Sequence, residues 1–270
     1  MNFSLLVATL DRSNEIKLLL GSLRLSIEKD FEVIVVDQSD NNLTKEVVDV
    51  FDDLDIKYIK SNVRGLSLNR NIALRLSKGS YYCFPDDDCI FYPDTLEKVK
   101  KYFDANHSDF VLGRIFDREN NINLLKNWPS TNKIVNDTNY YLLSSSITMF
   151  YSDKCRSVIF DEDMGVGARY GACEDPDYLY RVLKSGFRGE YVTEVEVWHP
   201  EQKQADLSLE KIKSYTSGFG YFVRKNSSLY NFILLLLYIA SKLFKLITFR
   251  IGVSHFKAII LGIYYGYCKK

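Results

Sequence analysis

Short apolar, β-rich runs alternate with stretches of helical spacing through the first 115 residues. FSLLVAT is followed by residues 14–27, where Ile16, Leu19, Leu20, Leu23 and Ile27 recur at helical spacing. FEVIVVDQSD reads as a buried strand ending on Asp37, and IKYIK as a weaker strand. LSLNRNIALRLSKG reads as a helix that stops at Gly79. SYYCF is the next strand, PDTLEKVKKYF a helix opened by a proline, and DFVLGRIF a further strand. Strands separated by helices specify an α/β fold with a largely parallel sheet, because parallel neighbours need a crossover. In such sheets ligands bind beyond the carboxyl ends of the strands. Asp37 and Asp86–Asp88 fall at those ends and are expected to face one crevice.

The second half is less regular. Residues 117–142 are polar and read as a long loop or insertion, and SSSITMFYS as a strand. The glycines of GVGARYG mark a mobile or close-packed loop. PDYLYRVLKSG predicts a helix with Asp175 at its N-cap, Pro176 in the first turn and Gly186 at the exit. VTEVEVWHP predicts a strand ending on His199. The five cysteines form no CxxC, so neither a disulfide framework nor a zinc site is expected, and a reducing cytoplasm fits. MNFSLLVATLDR reads as a first strand rather than a signal peptide.

Charge is uneven although the net charge is zero. All 35 acids lie at or before Glu210, with 25 of the 35 Lys and Arg; the other ten lie in the last 60 residues. The segment to 210 is therefore strongly acidic and the tail strongly basic, which points to an anionic partner for the tail. Residues 226–241 carry no charge, and IGVSHFKAIILGIYYGYC is a second apolar run. Neither reaches the roughly 18–20 uncharged residues of a spanning helix. Interfacial helices with a basic face fit better, and the apolarity favours a lipid surface over nucleic acid.

Three adjacent carboxylates repel one another unless a cation sits among them. A divalent Mn²⁺ or Mg²⁺, bound by one or two carboxylates and a substrate's phosphates, would supply it. Read alone, the triplet also suits a solvated turn. Along an extended segment Asp86 and Asp88 point the same way and Asp87 the other. Asp87 is therefore expected to tolerate substitution better than its neighbours. A strand-end His199 is a possible metal ligand, and Glu174 or Asp175 a possible general base.

Taken in order, these segments resemble family 2 glycosyltransferases of the GT-A fold over about residues 1–200. VATLDRSNEIKLLLGSL is similar to the family's opening strand and helix, and VIVVDQSD to its strand ending on an aspartate, with Gln38 in place of the usual second acid. RGLSLNRNIALRLSKGSYYCFPDDD resembles the run from its R-N pair to its D-x-D, and FDEDMGVGARYGACEDPDYLYRVLKSG its acceptor-side loop and E-D pair. VWHP supplies a late histidine. The resemblance implies an inverting, metal-dependent transferase with a Rossmann-like, mostly parallel sheet. Thr9, Asp37, Arg70, Asp86 and Asp87 would hold the nucleotide-sugar, and Asp86, Asp88 and His199 the Mn²⁺ or Mg²⁺. Asp175 would be the base, with Glu174 beside it. Absence of Q-x-x-R-W points to addition of a single sugar. SYTSGFGYFVRKN resembles a stretch of members that act on polyprenyl-diphosphate-linked glycans, where Arg224 and Lys225 would meet diphosphate.

The expected organisation is a catalytic domain over 1–210, with a nucleotide-sugar half (1–115) and an acceptor half (116–210). A basic apolar tail, 211–270, would lie on the cytoplasmic face of the membrane through residues 226–270. UDP is the expected nucleotide, and a surface polysaccharide such as capsule or O-antigen the expected product. Two other readings remain: a sugar nucleotidyltransferase, disfavoured by the glycine-free VATLDRSN, and a non-catalytic module that keeps the fold.

Overall fold

A computed structural model of the 270-residue chain describes residues 1–106, 108–200 and 207–268. Lys269 and Lys270, counted among the tail's cations, lie outside the described residues. The chain divides into two compact units. The first holds residues 1–64, 68–159, and the chain from Arg181 through the strand that ends on Trp198. The second gathers residues 65–67, 160–180 and the C-terminal helices.

The first unit begins β1 (Phe3–Thr9), α1 (Ser13–Arg24), β2 (Phe31–Asp37), α2 (Leu43–Asp49), β3 (Ile56–Lys60), α3 (Leu66–Leu76) and β4 (Tyr81–Cys83). It continues through β5 (Ile90–Phe91), α4 (Thr95–Ala105), β6 (Phe110–Asp117), β7 (Ile122–Asn123), β8 (Lys133–Ile134), α5 (Tyr140–Leu143) and β9 (Met149–Ser152). After α6 (Glu174–Lys184) comes β10 (Gly189–Trp198). The sheet order is β3-β2-β1-β4-β9-β6-β10-β5, with β7 on β6 and β8 on β10. β3, β2, β1 and β4 run parallel; β9 is antiparallel to both β4 and β6; β10 is again parallel to β6. All seven residues of β1 and of β2 are buried, as two-sided cover by crossover helices requires. The order reverses at β1, with β2 on one side and β4 on the other, so a crevice opens at the carboxyl ends of β1 and β4.

Two expected helix ends shift. α3 stops at Leu76, three residues before Gly79. Gly79 is needed for another reason: a Cβ there would lie 2.6 Å from the Phe3 carbonyl carbon and 2.7 Å from Ser4 N, so the chain passes too close to β1 for any side chain. α6 starts at Glu174, which puts Asp175 inside the first turn rather than at the N-cap. Residues 117–142, expected to be irregular, carry the short β7, β8 and α5.

The second unit is built on α7 (Leu209–Lys225), α8 (Leu229–Ile247) and α9 (Val253–Cys268). Ser208 and Ser228 cap α7 and α8, accepting bonds from Lys211 N (3.2 Å) and Asn231 N (3.1 Å). α9 lies so close on α7 that a Cβ on Gly266 would sit 1.9 Å from Ser217 O. Gly266→Val must push the two backbones apart; the expected loss is about 1–3 kcal/mol in urea unfolding, as for an overpacked core.

A buried polar knot ties α7 to the first turns of α6. Asp177 is fully buried and accepts from Lys225 Nζ (2.9 Å) and Asn226 Nδ2 (2.7 Å); Lys225 also reaches Asp161 (2.7 Å). Lys225 is thus committed to two carboxylates, which replaces its expected role as a diphosphate ligand. Asp177→Ala would strand these donors, and a loss of about 3 kcal/mol is expected by urea denaturation.

α8 differs from its neighbours. Only Asn231 and Leu235 are buried along its 19 residues, with the Tyr238 ring tilted against Phe219 at 4.9 Å between centroids. Phe232, Ile233, Leu236, Leu237, Phe244 and Ile247 are exposed. By length and composition α8 is able to cross a membrane, with a mean hydropathy of 1.6. The uncharged stretch itself stays short of spanning length, as expected; the helix reaches 19 residues only by taking in Lys242 and Lys245 near its end.

Candidate active site

The carboxyl ends of β1 and β4 bring Thr9 and the aspartate triplet together. Thr9 Oγ1 donates to Asp87 Oδ2 at 2.7 Å. Ligand atoms of Asp86, Asp88 and His199 all lie within 4.8 Å of one another. His199 enters from the end of β10, its Nε2 3.0 Å from Asp88 Oδ1. Its Nδ1 is 2.7 Å from the Pro200 carbonyl oxygen. A carbonyl only accepts, so Nδ1 carries a proton, and Nε2 is the nitrogen turned toward the acids. Such a bond on the far nitrogen is the usual way to aim a metal-binding imidazole. Two carboxylates and one imidazole, converging from two segments, fit a divalent cation.

Arg12 was not singled out from sequence, yet it belongs here. Its Nη2 donates to Asp88 Oδ2 at 2.6 Å and its Nη1 lies 3.3 Å from Asp87 Oδ1. It follows Asp11, whose φ of 55° is left-handed, so the chain turns sharply at the end of β1 and brings the guanidinium back over the acids. The available signal was its position just past a strand's carboxyl end, but a lone arginine in a loop carries no pattern.

Burial pushes the Asp87 carboxyl up to about 7, against Thr9 and Arg12. Burial pushes Asp88 the same way, but the hydrogen bond and charge of His199, with those of Arg12, outweigh it and hold that carboxyl at about 2. His199 shows the reciprocal effect: burial disfavours its charge, and Asp88 with Asp86 raises it nonetheless. Asp86 and Asp88 converge with His199 while Asp87 bonds Thr9, but the extended segment expected there is a turn at 87–88, closed by Cys89 N to Asp86 O at 3.3 Å. Asp87 is nevertheless only 6% exposed, so the expected tolerance of substitution does not follow. Asp87→Ala is expected to lower the thermal midpoint by several degrees, as about 1–2 kcal/mol does in a domain of this size.

Arg70 is 1% exposed; its Nη2 donates to Asp86 Oδ1 at 2.7 Å and to Ser146 Oγ at 2.9 Å. It was expected at the nucleotide base, but this geometry has it orient Asp86. Asp37, fully buried at the end of β2, accepts from Ser39 N (2.9 Å) and Tyr58 OH (2.8 Å), with Lys60 Nζ at 3.6 Å.

Glu174 and Asp175 belong to the second unit. They open α6 directly after Cys173, a non-glycine residue held at φ 69°. With Val166, Gly171, Ala172, Cys173, Pro176 and Tyr215 they line a cavity of about 250 Å³.

The Glycosyl transferase family 2 pattern matches residues 4–164. The poly(ribitol-phosphate) β-N-acetylglucosaminyltransferase TarS of Staphylococcus aureus is 31% identical over 117 residues, 42% of this chain. The minor teichoic acid biosynthesis protein GgaB of Bacillus subtilis is 28% identical over 151 residues, 48% of this chain. The chain spans about a fifth of the length of these relatives, 20% of TarS and 17% of GgaB. Among solved structures, S. aureus TarS 1–349 in complex with UDP-GlcNAc has a TM-score of 0.61 at 19% identity, covering 84% of this chain and 71% of that one. A Pyrobaculum calidifontis mannosyltransferase in complex with GDP-Man and Mn²⁺ has a TM-score of 0.64 at 15% identity, covering 100% of this chain and 88% of that one. With the family pattern covering well over half of its residues and GT-A enzymes as its structural neighbours, the chain belongs to glycosyl transferase family 2.

Proposed function

We infer that the protein transfers one sugar from a nucleotide-sugar, a UDP-sugar, to a hydroxyl of a glycan acceptor, with inversion. The observation that carries this reading is the Asp86–Asp88–His199 cluster at the strand ends of a family 2 fold. Similarity to a UDP-GlcNAc complex supports the donor class. Similarity to poly(ribitol-phosphate) and teichoic acid enzymes supports an acceptor that is a growing surface polymer; its polyprenyl diphosphate carrier is proposed from the sequence resemblance alone.

Asp86, Asp88 and His199 would hold Mn²⁺ or Mg²⁺, which when bound neutralises charge growing on the leaving diphosphate. Arg70 fixes Asp86, while Thr9 and Arg12 brace Asp87. Asp37 closes the donor side at the end of β2. Asp175 takes the proton from the acceptor hydroxyl as it attacks, because a neutral hydroxyl is a weak nucleophile; Glu174 helps place the acceptor. The test is a donor screen with Mn²⁺, reading released nucleotide. Release from a UDP-sugar that EDTA suppresses is expected. Nucleotide release unchanged by excess EDTA would defeat the metal assignment, and formation of nucleotide-sugar from sugar phosphate would favour a nucleotidyltransferase.

The tail gives this reading its location. The exposed apolar face of α8, with Lys242, Lys245, Arg250 and Lys257 and no acid after Glu210, supports peripheral attachment to the anionic cytoplasmic face of a membrane. Co-sedimentation with phosphatidylglycerol vesicles is expected. Changing both Phe232 and Phe244 to Ser removes two apolar anchors of about 1.5 kcal/mol each, so partitioning should fall about a hundredfold. Equal partitioning of wild type and variant would exclude this face as the contact.

A further inference from the structure

The cavity beside Asp175 has a wall that the proposed reaction does not yet use. Its floor is a loop laid directly on α7: Gly171 N donates to Ser214 O at 3.2 Å, and a Cβ on Gly171 would lie 2.1 Å from Ser214 Oγ. A Cβ on Gly218 would likewise meet Ala172 O at 2.3 Å. Loop and helix therefore form a single fixed surface with no slack to collapse inward. Cys173 turns the chain through a left-handed backbone conformation, which delivers Glu174 and Asp175 to one side. From α7 comes Tyr215, half-buried, with Lys211 Nζ 5.6 Å from its ring centroid. That cation–π contact restrains the ring.

We propose that Tyr215 is the stacking surface that determines which sugar or polyol unit of the acceptor fits this cavity beside the base. The inference rests on the transferase reading above and deepens it. Three properties carry it. First, about 250 Å³ is below the roughly 300–1,000 Å³ of sites for drug-sized ligands, so it suits one ring or one short polyol rather than a whole nucleotide-sugar. Second, its lining is divided: Val166, Ala172, Pro176 and Tyr215 offer apolar surface for C–H groups, and two carboxylates offer acceptors for hydroxyls. Carbohydrates present such a two-sided surface. Third, the carboxylate assigned as the base is itself on the wall, so a hydroxyl bound there would sit beside its proton acceptor. Tyr215 thereby links the C-terminal helices to acceptor choice, and α7 becomes part of the site rather than only a support for the tail.

Cys173 supplies a readout independent of turnover. Cys83, Cys89 and Cys155 are buried, so in a Cys268→Ser protein Cys173 is the thiol open to iodoacetamide. Alkylation is followed by mass spectrometry with methyl glucoside, with ribitol, and with UDP plus Mn²⁺, for the full chain and for its Tyr215→Ala and Tyr215→Phe variants. Methyl glucoside or ribitol should slow alkylation several-fold, UDP with Mn²⁺ should not, and Tyr215→Ala should lose the protection while Tyr215→Phe keeps it. The proposal is overturned if neither polyhydroxy probe protects, if UDP with Mn²⁺ protects equally, or if Tyr215→Ala is protected as well as wild type. Slow hydrolysis of the UDP-sugar by water, measured on the same proteins, separates the two readings. Hydrolysis with no protection leaves the transferase and removes the subsite; protection with no hydrolysis does the reverse.

Discussion

Asp88→Asn is expected to lower sugar transfer by on the order of 10²–10⁴, since metal stabilisation of a leaving group contributes several kcal/mol at 1.36 kcal/mol per decade. The choice of residue follows from the geometry. Asp88 bonds both His199 Nε2 at 3.0 Å and Arg12 Nη2 at 2.6 Å, and it is the member of the triplet held at about 2. An amide keeps the shape but loses the charge. Mn²⁺ affinity, read by electron paramagnetic resonance, should fall in parallel, while circular dichroism keeps the wild-type helix and strand signal. Unchanged Mn²⁺ binding with lost activity would mean that Asp88 acts elsewhere in the reaction. Asp87→Ala provides the contrast. It should lose thermal stability through Thr9 and Arg12 and keep more metal affinity than Asp88→Asn, because its carboxylate is turned toward those two residues.

Asp175→Asn should reduce kcat by about 10²–10⁴, the range for removal of a general base, with Mn²⁺ and UDP affinity within about twofold of wild type. Asp175 lies in the first turn of α6 and on the cavity wall, so the amide should fit without disturbing the helix. Calorimetric UDP titration separates the effects: weakened UDP binding would make Asp175 a donor ligand. Glu174→Gln should be milder, about tenfold and mainly in acceptor KM, because its side chain is partly held beneath Gly165, whose Cβ would lie 3.2 Å from Glu174 Cδ. A kcat loss in Glu174→Gln equal to that of Asp175→Asn would exchange the two roles.

Much of the fold was legible because local pattern and tertiary role agree. FSLLVAT and FEVIVVD are apolar enough to be buried on both faces, and both became central parallel strands. The pairing of Asp86 with Asp88 was legible too, but not for the reason expected: the backbone at 87–88 is a turn, with Cys89 N bonded to Asp86 O at 3.3 Å, rather than an extended run. Other features depended on contacts that no local pattern encodes. Gly79 looked like a helix cap, but its size is set by the passage of β1 alongside. Arg70 looked like a ligand for a base, but burial turned it onto Asp86. Lys225 looked like a free cation until Asp161 and Asp177 folded against it.

The tail shows the division most clearly. Its acid-free, apolar composition already called for an apolar or anionic partner. Composition could not say which helix meets it, because α8 and α9 read much alike. Close approach decided: glycines on α9 let its backbone nest against α7, while the larger side chains of α8 leave most of that helix exposed. The sequence by itself determined the alternating α/β plan, the acids at the strand ends and the charge of the tail, since these depend on residue type and short spacing. Only the tertiary structure decided that Arg12 closes on Asp88, beside the His199 that the family resemblance implied there, and that residues 160–180 join the C-terminal helices to form the cavity at Asp175 and Tyr215. Those arrangements bring together residues far apart in the chain, and long-range packing, not local preference, selects them.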